Sequence, residues 1–295
     1  MVNVLISTYN GEKYIREQLD SILQQSCKDI KIYVRDDGSS DRTVSILKEY
    51  EDQNRITLIL GENVGYGRSF YKLLQIADQG DYWSFCDQDD VWLPDKVKWA
   101  VEWLDAQPET VPALFGNAYE LTDETLKTSY GVQRSPRYRL DFRRALTDCV
   151  YQGFAMTFNA RLRELMLMAG ENEITSHDWW GMLLAVRFGI HYFDDRIAVK
   201  HRRLKSSISG MDMKNRVKWL KNTLKEGHPG IRSCAKEYMR LFGGRSDKES
   251  RYAQWFTFEK YNLKASLCKS FYPGRWRPLL SSEIVIRILM LIGRV

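Results

Sequence analysis

The sequence contains no C-x-x-C pair, and its five cysteines (Cys27, Cys86, Cys149, Cys234, Cys268) are odd in number. That combination argues against a disulfide framework, a zinc ribbon or a dithiol redox pair, and it points to a reducing cytoplasm. The opening Met-Val-Asn-Val-Leu-Ile lacks the basic segment and long apolar stretch of a secretory leader. No run reaches the ~18 apolar residues of a membrane span. No G-x-G-x-x-G follows the first apolar run, and no G-x-x-x-x-G-K-[ST] occurs anywhere, which removes the main support for dinucleotide-binding and P-loop readings. Internal repeats are absent as well.

The composition is that of a globular protein. Of 295 residues, 44% are hydrophobic and 28% charged, which excludes disordered and collagen-like chains. The length suggests one large domain, or a domain of roughly 200 residues with an appendage. The net charge of +6 conceals an asymmetry: residues 196–295 hold 23 Lys and Arg against 7 Asp and Glu, a local balance of +16, so the remainder stands at −10. An acidic first part suits a metal and its ligands, and a basic tail suits nucleic acid or an anionic membrane surface.

Periodicity predicts βαβαβ at the start: strands at 2–6, 30–34 and 56–60, with helices at 12–25 and 42–50. The strands are short continuous apolar runs, as in a parallel sheet covered on both faces. A helix over 68–77, a strand over 82–86 and a helix opened by Pro94 follow. Further on, strands are expected at 113–119 and 155–158, helices at 161–169 and 179–187, and an Arg-rich polar loop at 131–141. From Arg216 the pattern is mainly helical. In such a sheet ligands bind outside the carboxyl ends of the strands, and all four of those ends are polar: Ser7-Thr8-Tyr9-Asn10-Gly11, Asp36-Asp37-Gly38-Ser39, Asn63-Val64-Gly65 and Asp87-Gln88-Asp89-Asp90.

Three carboxylates within four residues at 87–90 repel one another unless a proton or cation offsets them. A hard divalent cation held partly by substrate phosphates is the natural partner, while a solvated turn capping the next helix is the plainer alternative. Asp36, at a strand tip, can accept the N3–H of uracil or thymine, and Tyr9 beside it can stack on a base. The segment from Gly38 to Asp41 also reads as a turn and helix cap.

These four segments, above all Cys86-Asp87-Gln88-Asp89-Asp90-Val91-Trp92, resemble the inverting family 2 glycosyltransferases of the GT-A fold, with bacterial rhamnosyltransferases the nearest likeness. The likeness is dense over residues 1–105, thinner to about Gly210 and compositional beyond. It implies a mostly parallel Rossmann-like sheet with flanking helices over 1–210. A helical, basic, possible membrane-associating region then fills 211–295. It further implies donor contacts from Thr8, Tyr9, Asn10, Asp36, Asp37, Asn63, Gly65, Arg68, Asp87, Arg202 and Arg203. A D-x-D pair, Asp87 and Asp89, would hold Mn²⁺ or Mg²⁺ on the donor diphosphate, with His201 a further candidate ligand.

Asp178, in His177-Asp178-Trp179-Trp180, matches the family's catalytic carboxylate, with a helix-capping role as the alternative. Trp179 and Trp180 are either core residues or walls of a sugar pocket. Gly153 either allows a close approach to substrate or is a plain loop glycine. One departure stands out: counting back from Gly210 places Leu204 where related rhamnosyltransferases carry a histidine. Either His201 substitutes, or Arg202, Arg203 and Lys205 neutralise the diphosphate directly.

The implied activity is transfer of a sugar, L-rhamnose from dTDP-rhamnose, to a cell-surface glycan acceptor, lipid-linked and met at the inner face of a bacterial plasma membrane. A UDP-hexose or UDP-HexNAc transferase is the same-fold alternative. A silent sugar-nucleotide binder, or a nucleic-acid-binding protein, belongs to a different class, and the latter lacks any C₂H₂ or RNP-like pattern. The stretch 284–292 is apolar apart from Arg287. Its ~14 Å as a helix cannot cross a ~30 Å hydrocarbon core, so it either lies in a membrane interface or packs its Ile284, Ile286, Leu289 and Leu291 against protein.

Overall fold

The computed structural model describes residues 1–171, 176–204, 221–225 and 227–295. Its first half is a parallel wind: β1 (Val2–Thr8), α1 (Ile15–Leu23), β2 (Ile30–Asp36), α2 (Thr43–Glu51), β3 (Thr57–Leu60), α3 (Tyr66–Ile76) and β4 (Tyr82–Cys86). β2 pairs with β1 and β3, and β4 with β1, all in parallel. Both faces are covered, so β1 is buried on successive residues, Val4, Leu5 and Ile6 fully, with Asn3 a buried polar exception; alternation would appear only if one face were wet.

The second half is mixed. β5 (Val91–Trp92), α4 (Lys96–Asp105), β6 (Ala113–Thr122), β7 (Ser129–Gln133), α5 (Phe142–Thr147), β8 (Met156–Asn159), α6 (Ala160–Leu167), α7 (His177–Phe188) and β9 (Ile190–Arg202) follow in order. The sheet runs β3-β2-β1-β4-β8-β6-β9-β5, with β7 on the edge of β6. Three strands went unread in the sequence. β7 occupies the start of the segment expected to be a loop, and its exposure on every residue removes the alternation by which a strand is recognised. β5 has only two residues. β9, at 13 residues, mixes charged and apolar positions because a bulge opposite Asn117 and Ala118 shifts its register. β8 runs antiparallel to β4 and β6, so parallel order is confined to the β3-to-β4 half and the β6–β9 pair.

Four later helices, α8 (Pro229–Phe242), α9 (Lys248–Gln254), α10 (Leu263–Ser270) and α11 (Leu280–Leu291), follow. They share a core with the sheet: Ile231, Tyr238, Trp276, Ile286 and Leu289 belong to the same buried cluster as Leu5, Phe85 and Trp180. The expected boundary at residue 210 lies outside the described residues.

One core residue is ionisable. Lys96, on the first turn of α4, is fully buried. Its ammonium donates to Ser84 Oγ at 3.0 Å and lies 3.8 Å from the centre of the Trp92 ring. Burial lowers its pKa from 10.5 to about 7. Between those values the unfolded chain keeps the proton that the folded chain has lost, so wild-type stability rises with pH across that window. Replacing Lys96 by Met removes the penalty. The variant is expected to be more stable than wild type by about 2 kcal/mol or more below pH 7, and the gap should close toward pH 10.5. Urea melts at pH 6 and pH 10 check this; a gap that does not change with pH contradicts it.

Candidate active site

The carboxyl ends of β1, β2 and β4 and the far end of β9 meet in one crevice. At its floor, Gln88 latches two loops together: its Oε1 accepts from Tyr9 N at 2.9 Å and its Nε2 donates to Tyr9 O at 3.1 Å. Gly11 leaves room for this latch, since a Cβ there would stand 2.3 Å from Gln88 Oε1. Asn10 Oδ1 accepts from Ser40 N at 2.9 Å, tying the first loop to the second. Thr8 is buried at the strand end, and the Tyr9 side chain beside it is half exposed.

Asp36 is buried and turned toward its own loop, accepting from Gly38 N (3.1 Å), Ser39 N (2.8 Å) and Ser39 Oγ. The turn reading of this segment therefore includes Asp36 as well as the residues after it. Asp37 pairs with buried Arg35 and accepts from Val64 N and Gly65 N, each at 2.9 Å, which fixes the Asn63-Val64-Gly65 loop. Gly65 is needed for its backbone: at φ 84° it turns the chain into α3, a conformation that costs a residue with a Cβ. Asn63 and Arg68 are exposed beside that turn.

Asp87, Gln88, Asp89 and Asp90 form the turn between β4 and β5, and β5 pins it to β9 through Val91–Lys200 and Trp92–Val199 pairing. This pairing brings up His201 and Arg202. His201 Nδ1 lies 2.8 Å from Asp90 Oδ1, with the ring stacked on Phe154 at 4.3 Å. Burial works against an imidazolium here, but Asp90, followed by Asp87 and Asp89, outweighs it and lifts the pKa to about 9. His201 thus commits Nδ1 to Asp90 and stands as a counter-charge behind the acidic turn. Arg202 is buried too. It donates to Asp89 O at 2.7 Å and Glu124 O at 3.0 Å and pairs with Glu17. Its guanidinium is thereby spent on holding the loop, unlike the free diphosphate clamp anticipated for it. Arg203 is half-buried and ties the end of β9 to β6, its N–H donating to Thr122 O at 2.9 Å. Lys205 lies outside the described residues.

Among the described residues no ion pair neutralises Asp87 or Asp89. Burial, then Asp90 and Asp89, raise the Asp87 pKa well above the carboxylate range, and burial with Asp90 lifts Asp89 to about 6. Asp90 Oδ2 is buried with no hydrogen-bond partner. Uncompensated oxygen donors of this kind fit a hard cation. No group of three or more His, Cys, Asp or Glu among the described residues is arranged to hold a metal.

Across the crevice, α7 begins at His177, with Ser176 at its N-cap position. Asp178 therefore sits inside the first turn and is not the capping residue. Its Oδ1 accepts from Ser176 Oγ and from Trp179 N at 2.7 Å, and its Oδ2 accepts from Gly153 N at 3.2 Å. Gly153 allows a close approach, but to protein: a Cβ there would come within 2.8 Å of His177 Nε2. Asp178 lies near enough to contribute to the raised pKa of Asp87. Both carboxylates, after burial, also raise the pKa of Tyr66, at the start of α3. Trp179 and Trp180 are core residues, with indole N–H groups donating to Ala145 O and Met166 O.

Sequence reasoning missed Gln88 as a latch, Asp90 as partner of His201, and Tyr66 as a wall of the crevice. Only the D-Q-D-D spelling hinted at the first two.

A family model described as glycosyl transferase family 2 matches residues 3–165, and the chain belongs to that family. It is 29% identical over 207 residues to an uncharacterized glycosyltransferase, RT0329, of Rickettsia typhi, covering 68% of this chain and 64% of that protein. Over 105 residues it is 41% identical to the dTDP-rhamnosyl transferase RfbG of Shigella flexneri, covering 34% of this chain and 36% of that one. The chain thus spans less than two-thirds of the length of these relatives. Its fold is that of Staphylococcus aureus TarS, whose 1–349 fragment has been solved in complex with UDP. The match has a TM-score of 0.60 at 16% identity, over all of this chain and 80% of that one. The GT-A expectation for the fold is met.

Proposed function

We propose that this glycosyltransferase moves L-rhamnose from dTDP-rhamnose to a saccharide acceptor with inversion at the sugar carbon. The observation that carries the reading is the opposition of two kinds of carboxylate: Asp87 and Asp89, which make no ion pair among the described residues, on one wall, and Asp178, oriented by three hydrogen bonds, on the other. The rhamnosyl donor rests on the likeness to the Shigella enzyme, 41% identical over 105 residues.

In this reading Asp87 and Asp89 hold Mn²⁺ or Mg²⁺. A hard cation held there would offset the charge that grows on the departing diphosphate. The rest is done by the chain's own residues. The loops fixed by Gln88, Asn10 and Asp37 form the nucleotide wall. The exposed face of Tyr9 is available for stacking on the base, and the loop held by Asp36 offers hydrogen-bonding groups to its edge. Asn63, Arg68 and Arg203 supply polar and cationic groups at the rim. Asp178 receives the proton of the acceptor hydroxyl as that oxygen attacks the face of the sugar away from the diphosphate. General-base catalysis of this kind needs a fixed carboxylate oxygen, which the Gly153 and Trp179 N–H groups provide. The acceptor in this reading is a lipid-linked glycan.

The test is a donor panel. The protein is incubated with dTDP-, UDP- and GDP-sugars, and release of nucleoside diphosphate is followed. Turnover of dTDP-rhamnose above the others is expected. Preference for a UDP-hexose or UDP-HexNAc would reassign the donor within the same fold, and no turnover of any donor would favour a silent sugar-nucleotide binder.

A further inference from the structure

No helix among the described residues is long and apolar enough to cross a membrane, yet apolar surface is concentrated at one place. Twelve of the 21 large apolar side chains exposed among the described residues fall between Phe258 and Ile292. Scattered exposed apolar side chains are normal, but a contiguous apolar face marks an interaction site. Here the face belongs to two helices packed on each other, α10 and α11.

The two helices divide cleanly around their axes. At ~100° per residue, the buried positions of α11 (Glu283, Ile286, Leu289, Met290) fill one side. The exposed positions fill the other, where Leu280, Ile284 and Ile288 are each more than half open to solvent. In α10 the buried set is Ala265, Ser266, Lys269 and Ser270, and the exposed set includes Leu263, Leu267 and neighbouring Phe271. The inner sides are firmly held. Trp276 is fully buried, Glu283 accepts from Trp276 N (2.9 Å) and Arg277 N (2.7 Å), and Arg287 pairs with Glu283 at 2.6 Å. The choice between interfacial helix and packed helix thus resolves position by position: Ile286 and Leu289 pack, while Ile284 and Leu291 face out.

Charge identifies the occupant. Lys264 on α10, and Lys260, Arg275 and Arg294 in the segments flanking the two helices, are exposed. Among the described residues the acidic groups nearest in sequence to the two helices, Glu259 and Glu283, are both engaged, by Lys236 and Arg287. A second copy docking through the same face would set these cations against their own kind. An anionic surface that also accepts apolar side chains matches both features. We propose that the α10–α11 face docks on an anionic lipid bilayer, lying in its interface with Leu263, Leu267, Phe271, Leu280, Ile284 and Ile288 inserted. At 12 residues, α11 is about 18 Å long, which suits lying in the interface rather than crossing. Apolar insertion and cation attraction act together in such anchors. The proposal rests on the lipid-linked acceptor of the preceding reading only for its biological purpose, and its test is independent of the donor.

The intact chain is sedimented with sucrose-loaded vesicles of phosphatidylglycerol and phosphatidylcholine, and with phosphatidylcholine alone, at low and high salt. Binding to the anionic vesicles is expected at low salt, falling at least tenfold on neutral vesicles or in 0.5 M salt, roughly as screening dictates. Ile284→Ser/Ile288→Ser changes only exposed positions. It is expected to keep the wild-type melting temperature and dTDP-rhamnose hydrolysis while losing binding at least tenfold. Failure of the wild type to sediment, or equal sedimentation of the double variant, overturns the proposal. So does a wild-type dimer in light scattering that the double variant dissolves, which would assign the face to a second copy. Vesicle binding without donor turnover would instead overturn the donor reading and leave this one standing.

Discussion

Asp178→Asn is expected to lower kcat by at least ~10²-fold while changing donor affinity little, because a positioned general base contributes about that factor to the transition state and nothing to donor binding. The substitution suits the site. Its amide oxygen can still accept from Trp179 N, as Oδ1 does at 2.7 Å, so the first turn of α7 keeps its anchor. What disappears is the basic oxygen now held by Gly153 N at 3.2 Å. Steady-state rates with saturating acceptor, together with donor titration calorimetry, separate the two effects. An Asn variant with most of its activity would mean that the base lies elsewhere. A loss confined to donor affinity would mean that Asp178 serves the nucleotide side of the crevice.

Asp89→Ala should act on the other half of the reaction. It removes a carboxylate already strained by Asp90 and by burial, and with it one of two oxygen donors for a cation on the diphosphate. Donor affinity is expected to fall by at least ~10-fold, and stimulation by Mn²⁺ or Mg²⁺ should vanish, in keeping with a hard-ligand loss at a metal-assisted site. The internal comparison is wild type treated with EDTA. If it retains full activity, no cation is needed, and the weight passes to the fixed positive charge behind the turn, where His201 faces Asp90 and Arg202 holds Asp89 O. The apolar residues of β5 flanking the turn should keep Asp89→Ala folded, which a melting curve verifies.

The contrast between these two carboxylates also shows how much of the site can be read without coordinates. Asp87 and Asp89 announce themselves because crowded like charges at the end of an apolar run need an explanation that local chemistry can supply. Asp178 is less legible. A carboxylate at the start of a helix is ordinarily a cap, and only the N–H of Gly153, 25 positions away, together with the proximity of Asp87, gives it another context. His201 shows the same limitation from the other side. Its sequence neighbourhood is basic and suggested phosphate, but strand pairing 111 positions back sets it against Asp90.

By itself, the sequence determined the parallel βαβ opening, the four polar strand ends and the acidic turn, because these depend on periodicity and residue chemistry within a few tens of positions. The tertiary structure alone decided the strands β5, β7 and β9, whose pairing energy comes from distant partners and leaves little local pattern. It also decided what the basic residues do: Arg202 and Lys96 are buried, and their neighbours in space, Glu17 and Trp92, set their roles. The same holds for α11. Isoleucines and leucines surround most of that helix, so no single stripe marks its inner face. Only the positions of Trp276 and the rest of the core fixed which side is buried and which is left for a partner.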